Sequence, residues 1–120
     1  MKPNDAVTAL AALAQGTRLA VYRLLVQQGP SGLAAGEIAS RLGIAPATLS
    51  FHLKELARAG LAASRQDGRF VFYAANFEAM NELVAFLTES CCAADRGPAC
   101  TPVVACQPVK IVRRAQKSRA

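Results

Sequence analysis

Gly36-Glu-Ile-Ala-Ser-Arg-Leu-Gly43, followed at once by Ala47-Thr-Leu-Ser-Phe-His-Leu-Lys-Glu-Leu56, is the stretch on which the fold turns. Residues 35–42 read as a short helix that ends at Gly43. Pro46 then suits the first turn of another helix, where its missing N–H costs nothing and its fixed φ is already helical. That helix is expected to run to about Ala59 and stop at Gly60. Leu49, Leu53 and Leu56 fall at i, i+4 and i+7, one buried stripe. With these leucines turned inward, Ala47, Thr48, Ser50, Phe51, Lys54 and Arg58 are left outside or flanking. Two short helices around a glycine-containing turn are a helix-turn-helix pattern.

Outward from this centre the pattern extends both ways. Residues 5–14 (Asp5, Val7, Leu10, Leu13) read as a first helix broken by Gly16. Thr17 is placed to cap a second helix through Gln28, with Val21, Leu24 and Leu25 as its core stripe. Downstream, Leu61–Gln66 and Arg69–Ala74 flank Asp67-Gly68, a two-residue hairpin signal. Asn76 then caps a last helix to about Cys91, whose apolar face is Met80, Leu83, Val84 and Leu87. Pro98, Pro102 and Pro108 oppose any further helix. The order predicts a mainly α fold, a winged helix-turn-helix with a two-stranded β wing. It occupies residues 1–92, and a cysteine-containing, basic, largely irregular tail occupies residues 93–120.

Composition narrows the class. The chain has 120 residues, enough for one small domain and a tail, and it is 52% hydrophobic. No apolar run approaches the ~18–20 residues of a membrane span, so surplus apolar helix surface is expected in a subunit interface. Met1-Lys2 and the apolar stretch Ala6 to Ala14 imitate a signal peptide. Asp5, however, sits where a positive region belongs, and the apolar pattern resumes at Leu19–Val26, which favours a packed helix. A cytoplasmic chain keeps its thiols reduced, making its cysteines ligands or redox groups rather than structural disulfides.

The net charge of +6 is uneven. Lys110, Arg113, Arg114, Lys117 and Arg119 supply five positive charges at the end, expected as a solvated terminus. Arg41, Lys54, Arg58, Arg65 and Arg69 against Glu55 and Asp67 give a local +3 over residues 41–69. Glu78, Glu82, Glu89 and Asp95 make the following segment acidic. A basic centre suits one phosphate-facing side. Ala47 and Phe51, one turn apart, can meet thymine methyl groups. Thr48 and Ser50 can reach a base edge or phosphate, while Lys54 and Arg58 suit phosphates. Arg65 and Arg69 are expected to put charge at the wing tip, near a minor groove or backbone. His52, the single histidine, is expected to pack or touch phosphate rather than bind metal.

All four cysteines, Cys91, Cys92, Cys100 and Cys106, lie in the last quarter of the chain. Adjacent residues on a helix point ~100° apart, so Cys91 and Cys92 converge on one ion only where the helix ends. Gly97-Pro98 lets the chain turn back, so that Cys100, or else Cys106, can supply a third thiolate. Three sulfurs suit a soft pyramidal acceptor such as As(III) or Sb(III), and four could form a zinc site. No CxxC, anion-cradling glycine loop or Cys–His–acid set points to an enzyme.

Gly36 to Gly43, Ala47 to Leu56, Ala59-Gly-Leu61, Gln66-Asp-Gly-Arg69 and the earlier Thr17-Arg-Leu-Ala-Val-Tyr-Arg-Leu-Leu25 together resemble the ArsR/SmtB family, over about residues 5–92. The resemblance implies a dimeric repressor that binds inverted-repeat operator DNA. Its interface would lie between the first and last helices, through Leu10, Met80, Leu83, Val84 and Leu87. Ala47, Ser50 and Phe51 match places where relatives touch DNA, although Phe51 replaces a residue often polar. Cysteines in the helix before the recognition helix, used by some arsenic repressors, are absent from residues 36–42. The Cys91-Cys92 pair instead resembles the subgroup with a C-terminal As(III) site, in which As(III) or Sb(III) acts as inducer. The alternatives are a thiol redox or persulfide switch, or a Cd/Zn/Pb-responsive repressor of the same fold.

Overall fold

Side-chain oxygens of Gln15 and Asn76 cap two of the described helices, and the other described helices start without such a cap. The computed structural model describes residues 1–94. The expected ligands Cys100 and Cys106 and the basic cluster 109–120 lie outside the described residues. The elements in chain order are α1 (Pro3–Leu13), α2 (Gly16–Gln28), β1 (Leu33–Ala34), α3 (Ala35–Leu42), α4 (Pro46–Arg58), β2 (Ala62–Asp67), β3 (Phe70–Ala75) and α5 (Phe77–Leu87). Met1–Met80 form one unit and the residues from Asn81 a second.

In the first unit, α1 turns Ala6, Ala9 and Ala12 inward, while Val7 and Leu10 stay exposed. The cap of α2 is Gln15, not Thr17: its side-chain oxygen accepts from the Arg18 N–H at 2.8 Å, so the helix begins at Gly16. Val21 and Leu25 are fully buried, joined by Ile38 of α3 and by Leu49, Leu53 and Leu56 of α4. Truncating one such leucine costs ~2–5 kcal/mol, which makes this cluster the anchor of α4. The end of α4 closes by two reverse bonds, Gly60 N–H to Ala57 O and Leu61 N–H to Leu56 O, both 3.0 Å. This is a Schellman stop, and its hydrophobic partners Leu56 and Leu61 are both buried.

The wing differs from expectation twice. It is three-stranded and antiparallel in the order β1-β3-β2, because Leu33 and Ala34 pair with Tyr73 and Phe72. Gly32 permits that approach. It has φ +77, and a Cβ there would stand 2.6 Å from the Tyr73 carbonyl oxygen. The hairpin turn is also shifted by one residue: Asp67 pairs with Phe70, leaving Gly68-Arg69 as the two-residue loop. Gly68 has φ 63 and Arg69 does not share a positive φ, the pattern of a turn with glycine at its first central position.

Asn76 caps α5 as the sequence predicts, accepting from the Ala79 N–H at 3.1 Å, and its amide donates to the Gly60 carbonyl at 3.0 Å. The helix stops at Leu87, short of the expected Cys91. The Thr88 hydroxyl donates to the Val84 carbonyl at 2.8 Å, and Ser90 and Cys92 take left-handed backbone angles (φ 58 and 59), which no helix accommodates. In the second unit Leu83 is buried, Val84 half-buried and Leu87 exposed. No described helix is long and apolar enough to cross a membrane.

Candidate nucleic-acid interface

The leucine stripe of α4 decides which side chains face outward. Ala47, Thr48, Ser50, Phe51, Lys54 and Arg58 are all exposed, while Leu49, His52, Leu53 and Leu56 are buried. Phe51 keeps 57% of its surface exposed, a large apolar group on an otherwise polar face. A cleft of about 330 Å³ runs between α4 and the wing, with Ser50, Lys54 and Tyr73 among its walls. One face therefore presents short polar side chains, an aromatic ring and a lysine beside a projecting hairpin. That is the arrangement by which a helix enters the major groove with flanking backbone contacts.

The cations are not equivalent. Arg58 forms an ion pair with Glu55 and Arg41 one with Glu37, each within its own helix. Arg65 lies with its guanidinium 4.7 Å from the Phe72 ring centre and donates to the Ser31 carbonyl at 3.0 Å. It is a wing strut as much as a surface charge, tying the loop before β1 to the hairpin. Lys54 and Arg69 make no ion pair or hydrogen bond among the described residues. Arg69 occupies the turn itself, so it is the cation at the tip. Beside it, Phe70 is 60% exposed. Sequence reading placed Phe70 inside a strand and missed it as a surface group; an aromatic residue directly after the Gly68-Arg69 turn was the available signal.

His52 is buried, 8% exposed, as its place beside the leucine stripe implies. Its Nδ1 lies 3.3 Å from Arg18 Nη1, and its ring meets the Phe51 ring at 5.4 Å and 64°. Arg18 was not singled out in the sequence, being 34 residues from its partner.

Beyond α5, Cys91 is exposed and Cys92 half-buried, with their sulfurs 3.6 Å apart. Two thiolates on one tetrahedral ion at about 2.3 Å would stand roughly 3.8 Å apart. Among the described residues no group of three or more metal-binding side chains assembles. The interface residues expected from the sequence divide by exposure. Leu10 (42%) and Leu87 (58%) are open, Met80 and Val84 are half-buried, and Leu83 is already buried in the single chain.

Helix, turn, helix and basic wing together define a winged helix-turn-helix DNA-binding protein. The family described as Helix-turn-helix domain matches residues 13–65. The transcriptional activator HlyU of Vibrio cholerae is 32% identical over 80% of this chain and 88% of its own length. The solved structure of HlyU from Vibrio cholerae superposes with a TM-score of 0.59 at 33% identity, covering 77% of this chain and 99% of that one. An HTH-type transcriptional regulator of Bacillus subtilis, YceK, is 41% identical over 48% of this chain, but the match spans only 57% of YceK. The homodimeric winged helix-turn-helix domain of Mb0332 from Mycobacterium bovis, a possible ArsR-family regulator, matches with a TM-score of 0.60 at 26% identity, over 73% of this chain and 82% of that one. A structure described as a possible transcriptional regulator for arsenical resistance matches with a TM-score of 0.59 at 29% identity, over 66% of this chain and 79% of that one. The chain belongs to the ArsR family of winged helix-turn-helix transcriptional regulators, of ArsR/HlyU type.

Proposed function

We propose that this protein is a cytoplasmic, homodimeric repressor that holds operator DNA until As(III) or Sb(III) binds its C-terminal thiolates. The observation that carries the inducer is the Cys91–Cys92 sulfur pair, 3.6 Å apart just past α5. Soft thiolates select soft acceptors, and a third sulfur from Cys100 or Cys106 would complete a pyramidal site. Each protomer offers one recognition helix, so two half-sites separated by about one helical turn require two copies. Exposed Leu10 and Leu87 supply apolar surface for such pairing. Ala47, Thr48, Ser50 and Phe51 read bases, while Lys54 and Arg69 hold phosphates. The protein works by binding, not by catalysis.

A second reading, a thiol redox switch, rests on the same sulfur pair: two sulfurs 3.6 Å apart at the end of a helix are near enough to respond together to an oxidant. Oxidation would then be the signal, with the two electrons passing to a peroxide or disulfide oxidant. The test is operator binding by the reduced protein, titrated separately with As(III), Cd(II), Zn(II) and peroxide. Release by As(III) at stoichiometric amounts, lost in Cys91→Ser and Cys92→Ser with binding intact, is the expected result. Release by peroxide with As(III) inert would transfer the assignment to the redox switch.

A further inference from the structure

Arg18 lies in the first turn of α2, yet its side chain joins three helices. Its Nε donates to the Ala12 carbonyl in the last turn of α1 at 2.7 Å. Its Nη1 reaches His52 Nδ1 inside α4 at 3.3 Å. An arginine carries donors only, so Nδ1 is the acceptor and the proton of the neutral imidazole sits on Nε2. The His52 ring, fixed on one side by Arg18, meets Phe51 edge-on at 5.4 Å on the other. Phe51 is the most prominent apolar group on the outward face of α4, 57% exposed.

We propose that Arg18, acting through His52, is a positioning residue for sequence readout, fixing the rotation of α4 and the direction of Phe51. The proposal rests on the reading of α4 as the recognition helix. The leucine stripe holds α4 by hydrophobic packing, which is non-directional. A hydrogen bond to one ring nitrogen is directional, and it is the polar constraint on the buried side of α4. Base-edge contacts need donor–acceptor distances of ~2.7–3.2 Å, whereas a flexible lysine or arginine follows a displaced phosphate. Loss of the Arg18–His52 contact therefore degrades discrimination among sequences more than adherence to DNA.

The experiment measures the ratio of affinities for an operator fragment, selected from a random pool by the wild-type protein, and for random DNA. It is run at a temperature where circular dichroism shows every variant folded. Arg18→Met and His52→Leu should each lower the ratio by about tenfold, the size of one lost base contact, while binding to random DNA stays within about twofold. The double variant should be no worse than either single, because the two residues act as one unit. His52→Gln keeps an acceptor and should hold most of the ratio. In the wild-type protein, imidazole nitrogen shifts should show Nδ1 unprotonated; a protonated Nδ1 overturns the proposal whether or not the variants fold. An unchanged ratio in Arg18→Met and His52→Leu, with only melting temperature reduced, also overturns it and makes the contact mere scaffolding. If Ser50→Ala and Phe51→Ala leave the ratio unchanged, the reading of α4 itself fails and takes this proposal with it. If those two lower it and the Arg18 and His52 variants do not, only the positioning role fails.

Discussion

Tyr22 is buried in α2, and its hydroxyl finds no hydrogen-bond partner among the described residues. Burial pushes its phenol above the ordinary value of 10.0, because the phenolate is the form that desolvation penalises. A folded pKa above the unfolded one means that the folded state holds its proton longer. Its contribution to stability is therefore complete below pH 10.0 and lost as pH rises through the folded value. Tyr22→Phe should leave neutral-pH stability unchanged or raise it by up to ~1 kcal/mol, and it should remove this alkaline decline. Urea unfolding of both proteins at neutral and alkaline pH checks it; a loss above ~1 kcal/mol in Tyr22→Phe would mean that the hydroxyl has a partner such as a trapped water. At this scale the sequence was legible wherever periodicity speaks. Leu49, Leu53 and Leu56 announce the buried side of α4, and by subtraction the outward set that includes Ser50 and Phe51. The Arg18–His52 contact was not legible, because a hydrogen bond between residues 34 apart leaves no periodic trace. The engagement of Arg58 by Glu55, by contrast, follows an i, i+3 helical spacing that the sequence carries.

The wing shows what an element's sequence can and cannot say. The Asp67-Gly68 dipeptide announced a hairpin, but the register is set by which residue accepts a positive φ. Gly68 alone does so here, and the turn moves one place to include Arg69. The third strand is two residues long, too short for any period to reveal, and it exists because the backbone at Gly32 passes against Tyr73. Gly32→Ala should therefore cost about 1–3 kcal/mol, since it combines a left-handed φ with a clash against backbone. Ala at Gly36, where a Cβ meets open space, is the control and should be neutral or stabilising. Equal thermal shifts for the two variants would contradict the pairing of β1 with β3. The early end of α5 has the same kind of cause: Met80, Leu83, Val84 and Leu87 keep a helical apolar spacing, but Thr88 bonds back to Val84 and the left-handed turns follow.

For the molecule as a whole, the chain's class was legible from the order of its elements, whereas the inducer rests on cysteines two of which lie outside the described residues. Assembly is open to direct test. Leu87 is exposed in the single chain, so Leu87→Glu should leave the fold intact while placing an unpaired charge in the proposed interface. Sedimentation should show monomers and operator affinity should largely disappear; a stable dimer with full binding would locate the interface elsewhere. Leu83→Glu cannot serve, because Leu83 is buried already and its loss would injure the fold. The internal engagement of Arg41, Arg58 and Arg65 has a consequence for how the protein finds its site. Each phosphate neutralised on duplex DNA frees condensed counterions, giving a slope of about −0.9 per contact in log affinity against log salt. If all five cations of residues 41–69 were spent on DNA, a dimer would show a slope of about −9. With only Lys54 and Arg69 uncommitted in each subunit, the slope should be nearer about −4, measurable by titrating potassium chloride against a fixed operator. A shallow slope means weak retention on arbitrary chromosomal sequence and short residence between operators, so that occupancy follows the quality of the site more than the abundance of DNA around it.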